Sequence, residues 1–131
     1  MAASRDDDRL DPTGVLGPLE AEAMEVLWAA GVPMPVRSVL EVLNEGRRPE
    51  LAYTTVMTVL SRLADKGVLT RERHGRGFCY EPAVDDHAAI AVRAVMRDFG
   101  EAAVAGFVDE VRADPALLAR LRTLLDSDGA G

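Results

Sequence analysis

The stretch Leu51-Ala52-Tyr53-Thr54-Thr55-Val56-Met57-Thr58-Val59-Leu60-Ser61-Arg62-Leu63-Ala64-Asp65-Lys66-Gly67 carries two opposed chemistries on one helical period. At about 100° per residue from Val56, Tyr53, Val56, Val59, Leu60, Leu63 and Ala64 fall in one apolar arc. Thr54, Thr55, Thr58, Ser61, Arg62 and Asp65 fall in the opposite arc, with Met57 on the border. The pattern predicts a helix from about Ala52 to Lys66, stopped by Gly67. Its exposed face would be short hydroxyls around one arginine, where a merely solvated face carries more Glu and Lys.

Downstream, Val68 to Arg73, the turn His74-Gly75-Arg76-Gly77 and Phe78 to Pro82 predict a β-hairpin with a basic tip. Leu69, Phe78 and Tyr80 are expected on its covered side, with Cys79 alternating away. Upstream, a helix is predicted from Pro18 until Gly31 ends it, with Leu19, Ala23, Val26, Leu27 and Ala30 on one face. Val32-Pro33-Met34-Pro35 can only be a connector or a short edge strand, because prolines remove ladder donors. A second helix follows, with Val36, Val39, Leu40 and Leu43 inward, Arg37 and Glu41 off that face, and Gly46 closing it. Helix, helix, helix, hairpin is the order of a winged helix-turn-helix, whose third helix enters the major groove and whose hairpin is the wing.

Beyond Pro82 the pattern is helical again. Ile90, Ala94 or Val95, and Phe99 recur on one face up to Gly100; Glu101 to Arg112 carries Val104, Phe107, Val108 and Val111. Asp114-Pro115 predicts an N-cap and first-turn proline for a last helix striped by Leu117, Leu118, Leu121, Leu124 and Leu125. Short amphipathic helices cover one another poorly, so a partner subunit is expected on Ile90, Ala94, Val95, Phe99, Phe107, Val108 and the leucine stripe. The expected class is therefore mostly α with a small β-hairpin wing. Its divisions are a disordered tail at 1–14, a winged-helix DNA-binding domain at 15–82, a helical dimerisation domain at 83–126 and a flexible terminus at 127–131.

Charge supports this division. The formal net charge is −7, yet residues 37–82 hold eight basic and six acidic side chains, against two and seven in residues 1–36 and five and nine in residues 83–131. Only the middle third can present a positive face to phosphates. The acidic N-terminus, Asp6-Asp7-Asp8 included, is unlike a signal peptide, and no run approaches the ~18 apolar residues of a membrane span. A single cysteine, Cys79, forms no internal pair and suits a reducing cytoplasm.

These features select the expected DNA-contacting residues. Thr54, Thr55, Met57, Thr58, Ser61 and Arg62 lie on or beside the exposed helix face. Arg71, Arg73, His74 and Arg76 lie on the wing, and Arg37 on the second helix. Threonine can serve base edges or phosphates and can meet the thymine methyl; Arg62, late in its helix, is expected at phosphate. Trp28, Phe78 and Tyr80 are expected in the core. His74, Cys79 and His87 match no standard metal spacing, so no metal or cofactor is expected. The catalytic constellations are absent and no enzyme is expected. The alternative is a winged-helix protein-interaction module that does not bind DNA and works through its acidic flanks.

Gly17-Pro18-Leu19-Glu20, Met24-Glu25-Val26-Leu27-Trp28, and above all Leu51 to Leu63 with Lys66-Gly67 resemble the penicillinase repressor family of BlaI/MecI type, which has copper-responsive CopY relatives. The resemblance spans about Gly17 to Leu125. It implies a homodimeric repressor on dyad operators, often with TACA/TGTA half-sites, and places Thr54, Thr55, Thr58 and Arg62 against DNA. Met57 stands where some members carry arginine. Antibiotic-responsive members are released by a sensor-protease pathway, in some through cleavage of an Asn-Phe pair in the dimerisation region. The pair here is Gly106-Phe107. The copper-responsive relatives' C-terminal cysteine cluster has no counterpart after Cys79.

Overall fold

The computed structural model describes residues 14–130. The expected tail, apart from Gly14, and residue 131 lie outside the described residues. The chain divides into two compact units, one ending at Ala94 and the other beginning at Val95.

The first unit begins with α1 (Pro18–Ala30). The Glu20 carboxylate reaches back to accept the Gly17 N–H at 3.0 Å, satisfying one of the orphan donors at the helix start. Ala21, Ala23, Met24 and Leu27 are fully buried. The covered face is thus rotated from the expected one: Leu19 and Val26 are half-buried and Ala30 is exposed. The cause is tertiary, since α1 is packed by two helices and a strand and therefore needs a wider buried arc than a single-sided stripe supplies.

Strand β1 (Met34–Pro35) pairs antiparallel with the second hairpin strand through Met34↔Tyr80 and Pro35↔Cys79, and lies at the sheet edge where proline is tolerated. Helix α2 (Val36–Asn44) buries Val36, Val39 and Leu43. The Asn44 side chain then brackets the following loop. Its Oδ1 accepts the Leu51 N–H at 2.8 Å and its Nδ2 donates to the Leu51 carbonyl at 3.2 Å, fixing where the next helix starts.

Helix α3 (Tyr53–Asp65) buries Val56, Val59, Leu60 and Leu63. It ends in a Schellman motif: the Val68 N–H donates to the Leu63 carbonyl at 3.1 Å and the Gly67 N–H to the Ala64 carbonyl at 3.0 Å, with Gly67 at φ +79°. Leu63 and Val68 are both buried at this corner. Because an L-residue in the left-handed region loses roughly 1–2 kcal/mol, Gly67→Ala is expected to destabilise the winged unit by about that amount. A lowered urea midpoint at unchanged m-value checks this.

Strands β2 (Leu69–His74) and β3 (Gly77–Pro82) form the hairpin in register Leu69↔Pro82 to His74↔Gly77, completing a three-stranded sheet in the order β1-β3-β2. Gly75 at φ +60° occupies the first central position of the two-residue connection, as a type II′ turn requires. Leu69 and Tyr80 enter the core as expected. Phe78 does not: it is 37% exposed, because the hairpin extends past the last core element before reaching it.

Helix α4 (His87–Phe99) crosses the boundary between the units. Its opening turns belong to the winged unit. His87 Nε2 lies 3.0 Å from Glu25 Oε2, the Trp28 indole donates to the Val84 carbonyl at 2.9 Å, and Arg93 Nη1 donates to the Gly67 carbonyl at 2.9 Å. Ile90, expected at a subunit interface, is 1% exposed and is part of this core, so it has no surface left for a second chain. Trp28 is half-buried against the same segment, its ring 5.0 Å from that of His87.

The second unit holds the end of α4, then α5 (Glu101–Arg112) and α6 (Pro115–Ala130), which pack on each other. Asp114 caps α6 by accepting the Ala116 and Leu117 N–H groups at 3.0 and 3.3 Å. The helix continues through Ala130, beyond the terminus expected at 127.

Candidate nucleic-acid interface

The exposed arc of α3 is what its spacing requires once Val56, Leu60 and Leu63 point inward. Thr54, Thr55, Thr58 and Arg62 are all exposed, Ser61 is half-buried, and Met57 is 41% exposed at the edge of the arc. No carboxylate occurs on α3 before Asp65. Arg62 has no ion-pair partner among the described residues.

Thr54, Thr55, Thr58, Arg62 and Lys66 line one wall of an open recess of about 630 Å³; Gly17, Pro18, Leu19 and Glu20 of the first turn of α1 line the other. Lys66 donates to Glu20 Oε1 at 2.7 Å, the same oxygen that caps α1. That ion pair ties the C-terminal end of α3 to the start of α1, with Glu20 nearly buried. Spacing along the chain singles out neither Lys66 nor the α1 turn. The signal is faint, because the pairing is between residues far apart in sequence.

Arg37 on α2 is exposed and lies over the Tyr53 ring, 5.8 Å from its centroid, at the N-terminal end of α3. Tyr53, expected in the apolar arc, is 43% exposed. The helix start protrudes beyond the neighbours that cover Val56 and Leu60. The other two arginines between α2 and α3 are Arg47 and Arg48. Arg47 is occupied, pairing with Glu22 and donating to the Leu43 carbonyl, which ties α2 to α1.

On the wing, strand alternation sorts the charges by face. Leu69, Arg71 and Arg73 of β2 share a face with Phe78 and Tyr80 of β3, while Thr70, Glu72 and His74 share the other with Cys79 and Glu81. Arg71 and Arg73 lie 5.1 and 5.6 Å from the Phe78 centroid. His74, expected beside them, sits instead near Glu72, 3.9 Å away. Arg76 is exposed at the turn. Cys79 is half-buried and free.

The second unit holds the remaining apolar candidates. Val95, Phe99, Phe107, Leu117, Leu124 and Leu125 are exposed, Phe99 at 65% and Phe107 at 57%; Val108, Leu118 and Leu121 are half-buried. Ala94, the last residue of the first unit, is half-buried. Met96 and Val104 of the second unit are exposed as well, as is Val92 of the first. Among the described residues no helix is long and apolar enough to cross a membrane.

Three helices followed by an antiparallel hairpin in a three-stranded sheet, with a third-helix face free of carboxylates before Asp65, define a winged-helix protein. The chain matches the penicillinase repressor family over residues 16–127 and belongs to that family. It is 41% identical over 108 residues to the transcriptional regulator BlaI of two Mycobacterium tuberculosis strains, covering 77% of each chain. Among solved structures, its fold is similar to the Staphylococcus aureus transcription regulator MepR, with a TM-score of 0.52, 15% identity and coverage of 95% of this chain and 88% of that one. It is likewise similar to the multiple antibiotic resistance repressor MarR, with a TM-score of 0.51, 18% identity and coverage of 96% and 86%.

Proposed function

We propose that this protein represses transcription by binding dyad operators as a homodimer, each subunit setting α3 into the major groove. The observation that carries the reading is the α3 face itself: Thr54, Thr55, Thr58 and Arg62 exposed together without a carboxylate before Asp65. Thr54 and Thr55, in the first turn, are positioned for base edges; Arg62, two turns later, serves phosphate. Met57 offers an apolar contact at the edge of the face, and Ser61 a hydroxyl. Arg37, Arg71, Arg73 and Arg76 meet the backbone on either side, and His74 has the weakest place among them because it neighbours Glu72.

The second unit supplies the dimer. A fully buried Leu or Phe contributes about 1.5–3 kcal/mol, so covering Phe99, Phe107, Leu117, Leu124 and Leu125 offsets a substantial part of the cost of association, about 4–15 kcal/mol. Half-sites of TACA/TGTA type, about one helical turn apart or a multiple of it, complete the operator. An operator-bound dimer blocks polymerase sterically, in the cytoplasm. Release by a sensor-protease pathway at Gly106-Phe107 would require α5 to unwind, since both residues lie mid-helix.

A mobility-shift titration with a TACA/TGTA dyad duplex against a scrambled duplex tests the whole reading. Expected is saturable binding of two chains per duplex, at least about a thousandfold tighter on the dyad. Equal affinity for both duplexes, or one chain per dyad, overturns it.

A further inference from the structure

Two aromatic side chains of the winged unit, Tyr53 and Phe78, are exposed, and both lie against arginines. Phe78 has the Arg71 and Arg73 guanidiniums within 5.6 Å of its ring centroid, and Tyr53 has that of Arg37 at 5.8 Å. Cation–π attraction operates within about 6 Å of the centroid, so all three pairs qualify.

The hairpin register explains the wing arrangement. Arg73 is directly across from Phe78 and Arg71 is diagonal to it, across from Tyr80. One ring therefore serves two cations on the same face of the sheet. Tyr80, the next aromatic on that face, is buried and anchors the base of the hairpin. Glu72 points to the other face by alternation, and neither Arg71 nor Arg73 has an ion pair among the described residues. Their charges are steered by the ring instead of neutralised by a carboxylate.

A free arginine loses up to ~2 kcal/mol of rotamer entropy when it is immobilised. A side chain already resting on a ring has lost part of that freedom before DNA arrives. Phosphate charges recur about every 3.4 Å of axis along one strand, so two guanidiniums held at one ring can address neighbouring phosphates.

We infer that Phe78 and Tyr53 are positioning residues: their exposed rings pre-organise Arg71, Arg73 and Arg37 for the DNA backbone at the wing and at the start of α3. The inference rests on the DNA-binding reading above and adds residues that reading does not use. It also accounts for large apolar side chains at positions where burial is not the reason for them.

The test compares Phe78→Leu, Phe78→Trp and Phe78→Leu in an Arg71→Ala, Arg73→Ala background, using full-length protein on a dyad duplex across a salt series. Phe78→Leu is expected to weaken binding by roughly two- to fivefold for each guanidinium it releases. Phe78→Trp, which keeps a ring, is expected to bind within about twofold of the parent. In the arginine-free background, Phe78→Leu is expected to have no further effect. Tyr53→Leu against Arg37→Ala should behave in the same way. Thermal melts of each variant should stay close to the parent, because neither ring is in the core.

Parent-like binding by Phe78→Leu overturns the inference while leaving DNA binding by α3 intact. So does a full effect persisting without the arginines, which would make Phe78 a direct contact. A parent protein that binds no duplex at low salt removes the DNA-binding reading, and this inference with it.

Discussion

Arg62→Ala is expected to reduce operator affinity at least about a hundredfold, because each charge-assisted contact contributes roughly 1.5–3 kcal/mol and a dimer makes the contact twice. Its guanidinium lies exposed in the recess between α3 and the first turn of α1, unclaimed by any carboxylate among the described residues. As a phosphate ligand it also sets the salt response. The slope of log affinity against log salt should become shallower by about 0.9 for each phosphate no longer neutralised, with little change in the ranking of operator variants. A slope that stays the same while discrimination at one base pair relaxes would assign Arg62 to a guanine edge. Undiminished affinity would remove α3 as the recognition element. The fold should be unaffected, since the side chain packs against nothing in the core.

Phe107→Asp is expected to convert the dimer to a monomer and, with it, to lower operator affinity by about 10²–10⁴. That range is the usual gain when a second site binds intramolecularly. Phe107 is 57% exposed on α5, so in the single chain an aspartate there meets water at little cost. In a dimer it would face apolar surface, and an unpaired carboxylate is expensive to desolvate. Sedimentation velocity and the mobility shift should therefore change together. Duplex binding at high protein concentration should survive, because the winged unit has its own core of Met24, Leu27, Val56, Leu60 and Leu63. A dimer that persists in the Phe107→Asp variant would move the interface to another face of the second unit.

How much of this was legible in the sequence depended on whether the cause was local. Helix α3 was readable because its two arcs and the Gly67 stop are set by 3.6-residue periodicity and by backbone sterics, and both act within a few residues. The same holds for the Asp114 cap, for the restriction of residues 32–35 by Pro33 and Pro35 to a connector or a short edge strand, and for the tight turn from His74 to Gly77. Family membership, shown over residues 16–127, follows from the same local motifs.

What an apolar residue touches is another matter, since periodicity assigns it a direction and not a neighbour. Ile90 and Phe99 stand on one predicted stripe, yet Ile90 fills the core of the winged unit while Phe99 is left exposed by its own chain. The helix they share runs out of one unit into the next, and nothing in its spacing marks the crossing. Tyr53 and Phe78 likewise carry core-like side chains at core-like positions. Only the tertiary structure shows α3 and the hairpin extending past the elements that would have covered them. The sequence by itself determined the order of elements, the faces of α3 and the basic middle third, because these follow from local sterics and composition. The assembled fold decided which apolar residues are covered, which arginines are already paired and which rest on a ring, because burial and pairing depend on the reach of distant segments.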